Sequence, residues 1–231
     1  MAVRKRILVV VTSAGEYKRV GFRTGLWLGE LTHFWDVAEE AGFGLVIASI
    51  EGGDVPIDPE SLSHEFLADL GTGKRYADRE YMDLLQRTVS ISDVDAADYD
   101  AIYLTGGHGV MFDFPQSREL AKLIAEFYES GKVVSAVCHG VTGLLNVELA
   151  DGGHLIKDKD ITGFSWHEEE LAQRGEAVPF NLQEELVSRG ANYSLTDQPF
   201  APYVVETGHL VTGQNPGSAK GVAEAVVKQL S

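Results

Sequence analysis

The sequence predicts an α/β protein, a parallel β-sheet covered by helices on both faces, with inserted segments near one edge. Three observations predict it. Short apolar, β-branched runs alternate with longer stretches of helical periodicity. Glycines stand where the helical stretches end. The resulting β-α-β-α order implies parallel pairing with helices on both sides of the sheet.

The elements follow in order. Residues 6–12 (RILVVVT) are continuous and β-branched, as a doubly covered strand should be. Residues 24–41 carry helical periodicity and stop at Gly42. Residues 44–49 (GLVIAS) read as a second strand, and residues 101–105 (AIYLT) as a third that runs into Gly106-Gly107. Residues 118–130 are helical and end at Gly131. Residues 133–137 are a fourth strand, followed directly by a helix-compatible segment. Residues 204–211 look like a hairpin around Thr207-Gly208, and residues 218–230 like a closing helix. Two stretches break the alternation. Residues 52–96 are a long insertion, rich in Asp, Gly and Pro and then helical. Residues 151–200 hold short elements and many acidic groups. Long excursions usually shape a site or a partner surface. No repeat, low-complexity tract or linker divides the chain, so residues 1–231 are expected to form a single domain with its insertion at 52–96.

Composition narrows the function classes. At 44% hydrophobic and 23% charged residues over 231 positions, the chain can bury a sizeable core. A net charge of −16 repels phosphate backbones and anionic lipid, which argues against nucleic acid and membrane partners. Plain solubility accounts for that acidity. The apolar run Ile7–Val11 is too short for a signal peptide, and no stretch approaches bilayer length. One cysteine allows no internal disulfide, which fits a reducing compartment, and a cytoplasmic location is expected.

That cysteine carries the main chemical signal. In Ser135-Ala136-Val137-Cys138-His139-Gly140 a buried strand passes into a helix within a residue or two. Ala136 and Gly140 keep the flanks small, as a sharply turned nucleophile elbow requires. Most lone cysteines are small buried hydrophobes, but few sit on such a turn. Sulfur at a helix N-terminus is expected to be stabilised as thiolate, and the His139 amide is free to help hold an oxyanion.

Other residues gather around it. Glu30 falls four residues after Leu26 and four before Phe34, on the apolar stripe formed with Val37, Ala38 and Ala41. A carboxyl there is desolvated and its pKa should rise, which suits a proton shuttle near sulfur. An edge position with partial exposure is the plainer alternative. The first helix leaves the same sheet edge as the elbow, and this favours the functional reading. Gly106-Gly107-His108-Gly109 follows the third strand at that edge and lets backbone amides approach a reacting oxygen. His139 adjoins the nucleophile and needs a third group to orient it. The run Glu168-Glu169-Glu170 can supply one, although such runs are usually solvated helix faces. No histidine spacing marks a metal site. Trp27, Trp35 and Trp166 read as packing residues rather than a cofactor box.

These residues together resemble the ThiJ/PfpI family, in the class I glutamine amidotransferase-like superfamily, and most closely its heat-shock chaperone and glyoxalase III branch. The matching segments are TGLWLGELTHF (24–34), TGGHGVMFDFP (105–115), AVCHG (136–140), ITGFSWHEEE (161–170), VPFNLQEEL (178–186) and VTGQNPGSA (211–219). The resemblance implies a flavodoxin-like sandwich, usually a homodimer, that needs no cofactor. It implies Cys138 as nucleophile, His139 as its partner and Glu30 as proton-handling acid. The register of ITGF places the third acid at Glu169, with Glu168 or Glu170 as the alternatives. Gly107, His108 and His139 would bind the oxyanion and substrate. The chain departs from the family at Val141-Thr142, where Pro is frequent, and at Trp166-His167, where smaller residues are common. The implied activity converts methylglyoxal, a small reactive carbonyl, to lactate. Its rivals are a cysteine-dependent amidohydrolase, peptidase or deglycase, a stress-response holdase, and a redox sensor.

Overall fold

In the computed structural model, described for residues 4–68 and 71–231, the apolar runs become the strands of a central sheet. Met1–Val3 of the N-terminal segment, and Asp69 and Leu70 of the 52–96 insertion, lie outside the described residues. The strands are β1 (Arg6–Val11), β2 (Gly44–Ser49), β3 (Val89–Ser90), β4 (Ala101–Leu104), β5 (Val133–Val137), β6 (Asp160–Ile161), β7 (Asn192–Tyr193), β8 (Val204–Thr207) and β9 (Leu210–Gly213). Among the described residues a seven-stranded sheet runs β3-β2-β1-β4-β5-β9-β8, parallel except for the β8–β9 hairpin. β6 and β7 form a separate small parallel pair. The fold class is therefore as the sequence predicts: a flavodoxin-like, mostly parallel sheet between helical layers.

Residues Ile7 to Val11 are all 0% exposed. Such burial stabilises by roughly 1.5–3 kcal/mol per large aliphatic side chain, which explains the absence of polar alternation in β1. The main helices are α1 (Leu28–Glu40), α5 (Arg118–Glu129) and α8 (Ala219–Leu230); the shorter ones are α2 (His64–Ala68), α3 (Thr72–Ala77), α4 (Arg79–Asp83), α6 (Trp166–Leu171) and α7 (Leu182–Ser188). Phe34 of α1 stacks on Tyr103 of β4 at 3.7 Å between ring centroids. The Tyr103 hydroxyl donates to the Glu30 backbone oxygen (2.9 Å), which pins the first turn of α1 to the sheet.

Several boundaries differ from the sequence reading, each for a local reason. α1 begins at Leu28 and not at residue 24. Leu26 is instead bridged to Ile57, so the insertion is strapped to the entry of the helix. The buried stripe accordingly runs through Leu28, Leu31, Phe34, Trp35 and Ala38, with Val37 half-buried and Ala41 exposed. The hairpin reaches Gly213 because β9 also pairs with β5. The segment after β5 is a 3-10 run, Cys138–Leu144, and not an α-helix. It lies so close to β4 that a β-carbon on Gly140 would stand 2.4 Å from the Thr105 carbonyl oxygen. The small residue expected there is thus a steric requirement of the elbow.

Candidate active site

The parallel strands deliver their C-terminal ends to one edge, where β1, β4 and β5 each pass into a loop. At the end of β5, Cys138 takes a left-handed backbone (φ 57°) and is 2% exposed. A non-glycine residue held there costs about 1–3 kcal/mol, a strain that persists only where neighbours enforce it. At the end of β4, Gly107 has φ 95°, and a β-carbon would lie 2.3 Å from the Gly25 carbonyl oxygen. The loop can hug the entry to α1 only because that side chain is missing.

Glu30 enters from α1 fully buried, as its place on the apolar stripe predicts. Its Oε2 accepts from the Gly106 amide at 2.6 Å, while among the described residues Oε1 meets no nitrogen or oxygen donor. Burial lifts its pKa to about 8, against smaller opposing effects from hydrogen bonds to Cys138 and the Gly106 amide. The thiol is raised as well, first by burial and then by the charge and hydrogen bond of Glu30; the His139 amide pulls the other way. This reverses the expectation of a thiol depressed by a helix terminus. Desolvation of a 2% exposed sulfur beside a carboxyl outweighs the few free amides of a short 3-10 turn. Two adjacent anions cannot both persist there, so at neutral pH the Glu30–Cys138 pair retains a proton.

On the other side of sulfur, His139 Nδ1 lies 3.3 Å from Cys138 Sγ, and His139 Nε2 lies 2.7 Å from Glu169 Oε2. Within Glu168-Glu169-Glu170 the three residues diverge. Glu170 is exposed, whereas Glu168 and Glu169 are buried, so the run is not simply a solvated face. Glu168 closes the capping box of α6 with Ser165. It also accepts from Gln214 Nε2 (2.9 Å), Asn215 Nδ2 (2.9 Å) and the Phe200 amide (2.7 Å). Glu169 faces the imidazoles. Burial acts to raise its pKa, but His139 and His108 overcome it and hold the carboxylate well below its usual range. His139 itself is lowered, chiefly by burial and by His108, against the pull of Glu169.

His108 was expected, with Gly107 and His139, to bind the oxyanion and substrate, and its ring also meets the acid of the neighbouring helix. Its ring lies 4.2 Å from that of His139, and its Nε2 lies 2.7 Å from the second oxygen of Glu169. His108, His139 and Glu169 offer ligand atoms within 4.8 Å of one another, a spacing that a cation can bridge. Both Nε2 atoms already point at the ionised carboxylate and must carry protons to do so. With both Nε2 protons directed at Glu169, the three side chains form one hydrogen-bonded unit.

These groups border a cavity of about 530 Å³. Gly107, His108, Cys138 and His139 line it, together with aromatic Trp27, Phe66, Phe164 and Phe200 and acidic Glu60 and Glu65. Trp27, read as a packing residue, meets Phe66 edge-on at 4.9 Å between centroids. Phe66, Glu60 and Glu65 come from the 52–96 insertion and were not singled out from the sequence. Their local pattern is that of any short amphipathic segment; only the length of the excursion pointed to a site.

A family model described as the DJ-1/PfpI family matches residues 24–229. Glyoxalase 3 of Candida albicans is 33% identical over 96% of this chain and 97% of its own length. Glutathione-independent glyoxalase HSP31 of Saccharomyces cerevisiae is 31% identical over 95% of each chain. Among solved structures, Rapid Encystment Protein 24 KDa of Francisella tularensis superposes with a TM-score of 0.93 at 37% identity, over 98% of this chain and 99% of that one. The crystal structure of glyoxalase III from Candida albicans gives 0.86 at 31% identity, over 97% and 96%.

Proposed function

We propose that this chain, which belongs to the DJ-1/PfpI family, is a glutathione-independent glyoxalase that converts methylglyoxal to lactate through Cys138. The observation that carries the reading is a buried thiol between two proton-handling groups of opposite character, at the edge of a cavity. On one side stands the Glu30 carboxyl, with a pKa of about 8; on the other, the His139 imidazole is bonded to an ionised carboxylate.

The chemistry follows from those neighbours. The thiol is held protonated, so attack is coupled to removal of its proton by His139 Nδ1, 3.3 Å away. Sulfur bonds to the aldehyde carbon, and the carbonyl oxygen takes a proton to give a hemithioacetal. Amides near Gly107 and His139 support the oxygen as its charge develops. Loss of the C1 proton and delivery of a proton to C2 pass through an enediol-like state and leave a lactoyl thioester. Glu30, protonated near neutral pH and close to sulfur, suits that transfer. Water then displaces sulfur, the thiol recovers its proton, and lactate leaves. Oxidation at C1 balances reduction at C2, so the proposed reaction consumes no external oxidant or reductant.

A cytoplasmic homodimer acting on small reactive carbonyls is the setting we propose. Among the described residues no helix is long and apolar enough to cross a membrane. A second reading, deglycase action on bulkier carbonyl adducts, draws support from a cavity in the size range of drug-like ligands. The deciding experiment is a metal-free, glutathione-free assay of methylglyoxal loss and lactate formation, with Cys138→Ala as control. Lactate formation lost in Cys138→Ala supports the proposal; methylglyoxal consumption without lactate, or unchanged by the substitution, defeats it.

A further inference from the structure

Glu169 accepts from two imidazoles at once. Oε2 is 2.7 Å from His139 Nε2, and Oε1 is 2.7 Å from His108 Nε2. An ionised carboxylate only accepts, so each Nε2 carries a proton and both ring tautomers are set by one acid. The consequence for His139 is direct: its Nδ1 is bare and faces Cys138 Sγ. The consequence for Glu169 is also direct, because no hydrogen bond other than that to His108 occupies Oε1 among the described residues. Glu169 is 3% exposed, so that oxygen has little access to solvent in compensation.

We propose that His108 is a positioning residue, which holds the second oxygen of Glu169 and thereby sets how readily His139 takes the proton of Cys138. The proposal rests on the reading that Cys138, His139 and Glu169 act as one unit. With His108 in place, the carboxylate divides its charge and hydrogen-bonding between two rings. The second ring also stands 4.2 Å from the first, where two cations would repel. Both effects restrain the basicity of His139. Remove His108, and Glu169 turns its whole charge to His139, which then stays protonated to higher pH beside the sulfur.

The groups facing His139 come from every element around it. Cys138 meets Nδ1 and Glu169 meets Nε2. His108, and Glu168 from the same short helix as Glu169, also act on it through charge. Asp58 of the insertion is electrostatically coupled to both His108 and His139. Phe164 covers the ring at 4.4 Å between centroids with no charge. Of the titratable groups among these, His108 and Cys138 are the ones whose own replacement leaves the carboxylates in place.

The test is the pH dependence of Cys138 alkylation by iodoacetamide in the full chain, for the parent, His108→Gln and His108→Phe. Glutamine keeps an amide donor at the place of Nε2; phenylalanine keeps the ring volume and gives Glu169 nothing. In His108→Phe the alkylation midpoint moves to lower pH by roughly one unit, because a longer-lived imidazolium stabilises thiolate. In His108→Gln it returns most of the way to the parent value. An unchanged midpoint in His108→Phe overturns the proposal, as does an equal shift in both variants. If His108→Phe does not fold, His108→Leu replaces it under the same criteria. The readout needs no turnover. A parent enzyme that makes no lactate from methylglyoxal defeats the proposed activity, while the alkylation profile still decides the role of His108.

Discussion

Two buried carboxyls flank Cys138, and their surroundings hold them in opposite states. Glu30 projects from α1 among apolar side chains and accepts from the Gly106 amide; burial dominates and its pKa rises to about 8. Glu169 projects from α6 and is nearly as buried, yet two imidazole N–H groups meet its oxygens and hold it ionised. The same side chain thus becomes a neutral acid on one side of the sulfur and a fixed anion on the other. What differs is the number and kind of donors, since both sites exclude water. The proposed passage of protons between two carbons would draw on both states.

The largest expected effect breaks the Glu30 side. Glu30→Gln preserves shape and one hydrogen bond but cannot transfer a proton. It should fold and lose turnover by roughly 10²-fold or more, the scale of general acid–base catalysis. Parent-like turnover in this variant removes Glu30 from the mechanism. Glu30→Leu should fold equally well and melt at or above the parent temperature, because a desolvated acid is replaced by an apolar side chain of similar size.

The next effect separates the three consecutive glutamates. Glu169→Gln should lower turnover by roughly 10-fold or more through the orientation of His139, and Glu170→Gln should leave it unchanged because that side chain is exposed. Glu168→Gln should act on stability instead. It places an amide against donors from Ser165, Phe200, Gln214 and Asn215. The cost is about 1–3 kcal/mol, or a fall of several degrees in melting temperature, with a smaller change in turnover. Equal kinetic effects at Glu168 and Glu169 would erase the distinction between them.

The smallest effect is a pair of opposed pH slopes in stability. Glu30 has a folded pKa near 8 against an ordinary value of 4.5. The folded state therefore binds the extra proton across that window, and the Glu30 contribution to stability is lost as pH rises from 4.5 toward 8. Glu169 is depressed in the folded state, so its contribution is present above the ordinary carboxyl pKa and is lost as pH falls through and below it. Melting curves of parent and Glu30→Gln across pH 5–8.5 should converge at the acid end and separate at the alkaline end, with the variant the more stable. Melting differences that do not vary with pH would mean that Glu30 is not held neutral.

Much of this comparison was legible in the sequence. Glu30 announced its burial by its spacing from Leu26 and Phe34, because helical periodicity alone decides which face a residue shares. Cys138 announced its turn by the small residues on either side. Glu169 was legible only through the resemblance, since three consecutive glutamates look alike to any pattern of charge. The thiol misled: a helix start was read as a source of thiolate stability, but depth of burial and the neighbour across the site dominate.

The sequence by itself determined β1, β2, β4, β5 and the β8–β9 hairpin, the alternation of strands with helices, the elbow and the acid on α1, but not β3, β6 or β7. Each depends on contacts between residues near in the chain, or on whether a run of side chains is apolar throughout. The tertiary structure alone decided the sharing of Glu169 by His108 and His139, the separation of Glu168 from Glu169, and the aromatic and acidic cavity wall drawn from residues 60–66. Those arrangements join α6, the β4 loop, the β5 turn and the insertion, which are distant in sequence. Hydrogen bonds and electrostatic effects depend on distances of a few ångströms and on solvent exclusion, and neither is encoded in local periodicity.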